Sequence, residues 1–109
     1  MAQFDVHINP GPRRDQVPYV VSVQSASFDR YRRRLVVPLA RISALPPGIK
    51  SVGTRTNPIF EINGERVLLN PLDMVSVDLK QLGAKVISFA DEGQTIADAL
   101  DEVFTRSWG

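Results

Sequence analysis

The sequence predicts a mainly β protein whose last element is a single helix, and three observations carry that prediction. Apolar and polar residues alternate over residues 3–9, Asn63-Gly64 stands between two strand-like runs, and after residue 92 the apolar spacing changes from 2 to 3.6 residues. At 109 residues the chain is one domain's worth, enough to bury about two-thirds of its unfolded surface without covalent staples.

The first strand sets Phe4, Val6 and Ile8 on one face and Gln3, Asp5 and His7 on the other, the period of a half-buried strand. Asn9-Pro10-Gly11-Pro12 then turns the chain. Residues 19–24 are β-branched and aromatic, and residues 35–40 are apolar on both faces, as a central strand is. Pro38 interrupts this third run; with no N–H to donate, it calls for an edge or a bulge. Residues 44–57 repeat at neither period and read as a long irregular connection. Asn63-Gly64 favours a two-residue type I′ hairpin, because both central residues take positive φ there. Met74, Val75 and Val77 belong to a further strand-like run and residues 85–89 to the last; the architecture expected is five or six short strands in a twisted sheet or small barrel.

The helix is expected over residues 93–108. Asp91 and Glu92 suit the positive end of its dipole and Arg106 the other end. Ile96, Ala99, Leu100, Val103 and Phe104 fall at i, i+3, i+4, i+7 and i+8, one buried stripe. Helical geometry continued to the chain's end sets Trp108 about 40° round from Phe104, on the rim of that stripe.

Composition excludes several function classes. The chain has no cysteine, so disulfides, thiolate nucleophiles and thiolate metal sites are ruled out and a reducing compartment is the natural reading. Residues 1–10 lack the apolar run of a signal peptide and no stretch approaches a membrane span, so a soluble, cytoplasmic protein without membrane contact is expected. Thirteen Lys and Arg against twelve Asp and Glu leave a formal charge of +1, far from that of a dedicated nucleic-acid binder. The arginines nevertheless crowd the first third, at 13, 14, 30, 32, 33 and 34, while Asp91, Glu92, Asp98, Asp101 and Glu102 make the end acidic.

Converging catalytic groups are scarce. His7 is the sole histidine and lies on the polar face of the first strand, where a solvated or structural role outweighs that of a base. A multi-histidine metal site cannot be built, glycine-rich phosphate loops are absent, and Asp98 and Glu102, at i and i+4, suit an exposed helix face better than a metal. No catalytic residue, metal site or cofactor is therefore expected. The arginines around Arg30 could contact phosphates with Tyr31 as a stacking surface, although no base for RNA cleavage is identifiable from spacing. The only tryptophan sits next to the last residue; it either folds back beside Phe104 or serves as an anchor for a partner.

Over nearly its whole length the sequence resembles the CcdB family of plasmid-maintenance toxins. The resemblance rests on Gln3-Phe4, the run from Val21 to Ser25, Arg33-Arg34-Leu35-Val36-Val37-Pro38-Leu39-Ala40, the run from Asn57 to Gly64, Asp73-Met74-Val75-Ser76-Val77, and the closing Trp108-Gly109. It implies a homodimer of a small SH3-like barrel of the CcdB/MazF toxin type. It also implies a non-enzymatic toxin of a type II toxin–antitoxin module that binds the DNA gyrase A subunit and traps the gyrase–DNA cleavage complex. A cognate antitoxin protein would neutralise it and join it in transcriptional autoregulation, with DNA met only through gyrase or the antitoxin. By position, Ser107, Trp108 and Gly109 match the gyrase-contacting end, Gln3, Phe4 and Ser25 match the functional surface shared with the antitoxin, and His7 stands there where the family often has tyrosine.

Two features depart from the family pattern: the usual Trp-Gly-Ile ends here at Gly109, and Thr105, Arg106 and Ser107 separate Phe104 from Trp108. In a helix that insertion turns the indole by about 60° and lifts it by ~4.5 Å. The alternatives are a MazF-like, metal-independent endoribonuclease toxin and a non-toxic, antitoxin-binding regulatory relative.

Overall fold

The computed structural model describes residues 2–46 and 53–104. The chain forms β1 (Asp5–Ile8), β2 (Tyr19–Ser22), β3 (Arg33–Arg41), β4 (Ile59–Ile62), β5 (Glu65–Leu69), β6 (Val75–Asp78), β7 (Lys85–Ser88) and α1 (Gly93–Phe104). The seven strands, rather than five or six, make one curled antiparallel sheet in the order β4-β5-β3-β2-β1-β7, with β6 also on β3. The mainly β class with a C-terminal helix is as expected.

The long strand β3 organises the sheet because it is apolar on both faces. Its core-facing Val37 and Leu39 are fully buried with Val6, Val21, Ile62, Val67, Leu69, Ile96 and Ala99, which join both sides of the hairpin and the helix into one cluster. Phe60 and Phe89 close it, their ring centroids 4.8 Å apart. The β4–β5 hairpin turns at Asn63 (φ 52°) and Gly64 (φ 80°), the positive pair that a type I′ turn requires.

Pro38 sits opposite Val20 of β2, inside β3. Its side of the strand is where the neighbour changes: β5 pairs with β3 from Leu39 to Arg41 and β6 from Arg33 to Val36. The Pro38 carbonyl still accepts from Asn70 N–H at 3.1 Å. Only the donor half of one pair is missing, and the fork acts as a local edge inside a central strand.

The first strand corrects the expected in/out pattern. Val6 is fully buried, yet Asp5 and His7 on the opposite face are buried as well, whereas Ile8 is 44% exposed. Phe4 lies outside the strand with φ 69°. On the outer face the segment that follows β1, through Asn9, Pro10, Arg13 and Val17, and the remote Gln81 and Leu82 lie against Val20, Val36 and Pro38 and leave a cavity of about 230 Å³ between them. The helix stripe holds through Ile96 and Ala99, relaxes to half-buried Leu100 and Val103, and ends with Phe104 65% exposed. The expected extension to residue 108, with Arg106 at its end, lies outside the described residues.

Candidate functional site

Gln3, Phe4 and Ser25 come together at one rim of the sheet, where β1 begins and β2 ends. The Phe4 backbone is held from both sides: its N–H donates to Ser22 O at 2.6 Å and its carbonyl accepts from Phe89 N–H at 2.8 Å. That bracketing forces the positive φ, which a phenylalanine adopts only when its surroundings over-determine it. The ring then lies on Gly93, the first residue of α1, where a Cβ would stand 2.7 Å from Phe4 Cε2. Gln3 Nε2 donates to Val23 O at 3.0 Å. Ser25 Oγ accepts from Ser27 N–H at 3.3 Å and caps the turn Ala26–Phe28. All three side chains are half-buried, so the rim is a fixed surface and not a set of free arms.

Of the solvated and structural roles open to His7 on the polar face of the first strand, the structure shows the structural one: the residue is 7% exposed. Its Nδ1 lies 3.0 Å from Gly83 O. A carbonyl only accepts, so Nδ1–H donates to it, and Nε2 is buried with no hydrogen-bond partner among the described residues. Gly83 is there because nothing larger fits: a Cβ would be 2.4 Å from Ile8 O. Asp5, 4% exposed, accepts from Ala2 N–H at 3.1 Å and lies 3.4 Å from Lys85 Nζ. With Ser22 and Arg34 these residues form a buried polar row on the outer face of β1, β2 and β3.

The arginine run divides by role. Arg34, 4% exposed, donates to the carbonyls of Tyr31, of Arg33 at 2.9 Å and of Asp29 at 2.7 Å, and so pins the turn before β3. Arg33 spans the outer edge of β6, with Nε donating to Ser76 Oγ at 2.9 Å and Nη2 to Ser76 O at 2.6 Å. Arg32 is 3.6 Å from Asp78. Between this turn and the start of β3 lies a groove of about 410 Å³ walled by Phe28, Tyr31 and Leu35.

Asp98 and Glu102, expected on a free helix face, are half-buried and paired: Arg55 reaches Glu102 Oε1 at 2.7 Å and Asp98 Oδ1 at 3.7 Å. No metal-holding group of His, Cys, Asp and Glu occurs among the described residues. Among those same residues no helix is long and apolar enough to cross a membrane. Ser107, Trp108 and Gly109 lie outside the described residues. The rim of Gln3, Phe4 and Ser25 stands at the start of α1, and a helix of twelve residues puts Phe104 about 17 Å away at its other end. The structure puts Gln3, Phe4 and Ser25 at one end of the sheet, while the polar row and the Arg55 clamp, whose partners are 76 and 47 residues apart in the chain at their widest, carry no signal in the sequence.

A family model described as "CcdB protein" matches residues 3–106. No curated protein matches the chain. Among solved structures the chain is similar to the Mycobacterium tuberculosis toxin MazF-mt6, with a TM-score of 0.67 and 14% identity over 95% of this chain and 99% of that one. At that identity the likeness is one of fold: a curled antiparallel sheet with a C-terminal helix, as in CcdB- and MazF-type toxins.

Proposed function

Because the chain belongs to the CcdB family, toxins of toxin–antitoxin modules, we propose that it inhibits DNA gyrase by gripping the A subunit and holding the gyrase–DNA cleavage complex. The family match across residues 3–106 is the observation that carries this reading. In support, Gln3, Phe4 and Ser25 gather on one rigid rim, a pre-formed surface of the kind that binds without a large ordering cost. The terminal Trp108, flanked by Ser107 and Gly109, supplies the anchor: tryptophan offers the most contact area of any side chain. The chain works as a cytoplasmic homodimer, presenting two such anchors to a two-fold target, and a cognate antitoxin competes for the rim. It meets DNA through gyrase or the antitoxin.

On this reading the chain is not an enzyme and needs no cofactor. Metal-independent RNA cleavage has weaker support, because His7 is turned inward onto Gly83 O and is not presented to a substrate.

Supercoiling by the host's own gyrase tests the proposal directly. Addition of the protein should stop supercoiling and accumulate cleaved DNA. Trp108→Ala should relieve both by at least about thirtyfold, the equivalent of a ~2 kcal/mol anchor, with the circular dichroism spectrum unchanged. Full inhibition by Trp108→Ala, and by a chain carrying a bulky C-terminal tag, would remove the proposal.

A further inference from the structure

We propose that the groove between the turn at residues 28–33 and the start of β3 binds single-stranded nucleic acid, with a base stacked on Tyr31 and neighbouring phosphates held by Arg30, Arg32 and Arg33. The inference is independent of the gyrase reading.

The walls are apolar and open: Phe28, Tyr31 and Leu35 are 50%, 61% and 40% exposed. The rings of Phe28 and Tyr31 stand 6.1 Å apart and tilted by 39°, so each keeps an outward face for a further planar group. The turn that carries them is held from beneath by the buried Arg34 and its three carbonyl acceptors. Stacking platforms of this type bind every base, because every base has a π-face.

The charge is complementary to a polyanion. Arg30, Arg32, Arg33 and Arg34 are opposed by two carboxylates, Asp29 and Asp78, leaving an excess of two positive charges in this one patch, whereas the whole chain carries +1. Arg30 is exposed and has no ion pair among the described residues. Arg33 is aimed by its two bonds to Ser76, which leave its remaining amino group for an outside acceptor.

One observation separates a nucleic acid from an acidic peptide. Gln24, the only amide in the groove, spends Nε2 on the carbonyls of Phe28 and Arg33, both at 3.2 Å, and Oε1 on Leu35 N–H at 3.1 Å. At the start of β3 one side pairs with β6 from Arg33 to Val36; on the other, where the β2 ladder begins only at Val36, Leu35 O accepts from Val23 N–H at 3.0 Å. Among the described residues no free strand edge is left in the groove to pair with an extended peptide main chain, whereas stacking and phosphate contact need only rings and guanidinium groups. The same commitment predicts little sequence preference.

Fluorescence anisotropy of roughly ten-nucleotide oligo-U and oligo-dT, at about 50 mM salt, tests the inference with the full chain. At least one oligomer should bind and weaken steeply as salt rises; the better of the two identifies RNA or DNA. Tyr31→Ala should weaken binding by about fivefold or more. The double change Arg30→Ala with Arg32→Ala should lower the slope of log affinity against log salt by about one to two. Both sites are exposed, and unchanged thermal melts will show that the fold is kept. Absence of binding, binding that both variants retain, or tighter Tyr31-dependent capture of a Glu-rich peptide than of either oligomer would overturn it.

Discussion

His7 and Gly83 fasten β1 to the turn before β7, and each explains the other. The imidazole reaches Gly83 O at 3.0 Å because no side chain intervenes, and the backbone of Ile8 lies too close to admit one. Gly83→Ala should therefore cost about 2–3 kcal/mol in urea unfolding, since the clash is with backbone and not with a mobile tip. Arg34→Ala removes a buried guanidinium from three carbonyls and should cost about 2–3 kcal/mol by the same measurement. The burial of His7 was not legible in the sequence. Alternation shows which side chains share a face; it does not show that both faces are covered, and the partner His7 meets, Gly83, is 76 positions away. Arg34 was hidden in the same way, as one of an arginine run whose other members are exposed.

The strands and the helix were more legible because their signals are local. The Asn63-Gly64 turn needs nothing distant to fix it, and Gly64→Ala, at φ 80°, should cost about 1–2 kcal/mol in chemical denaturation. Pro38 was legible as an irregularity, but its resolution was not: the fork where β5 gives way to β6 depends on strands whose order in space no local pattern encodes. The helix stripe was read one residue too far. Phe104 fits the period but is 65% exposed, so Phe104→Ala should change unfolding free energy by less than about 0.5 kcal/mol, whereas Ile96→Ala, fully buried, should cost about 2–5 kcal/mol. Arg55→Ala should also cost under about 1 kcal/mol, because its guanidinium is half-exposed and its pairs with Asp98 and Glu102 are partly screened.

For the whole molecule, the class was recoverable because the family pattern and the strand periods agree, while the distribution of charge into separate tasks was not. Arginine enrichment in the first third becomes three different things once folded: a buried pin at Arg34, a bridge at Arg33 and an exposed cation at Arg30. The bridge reaches beyond its own neighbourhood. Among the described residues strand β6 pairs only with β3, and the Ser76 carbonyl on its other flank is already occupied by the Arg33 guanidinium. A second copy adding a strand there would have to evict a cation first, so that flank resists runaway self-templating into fibrils, and any ordered association of copies is steered to another face.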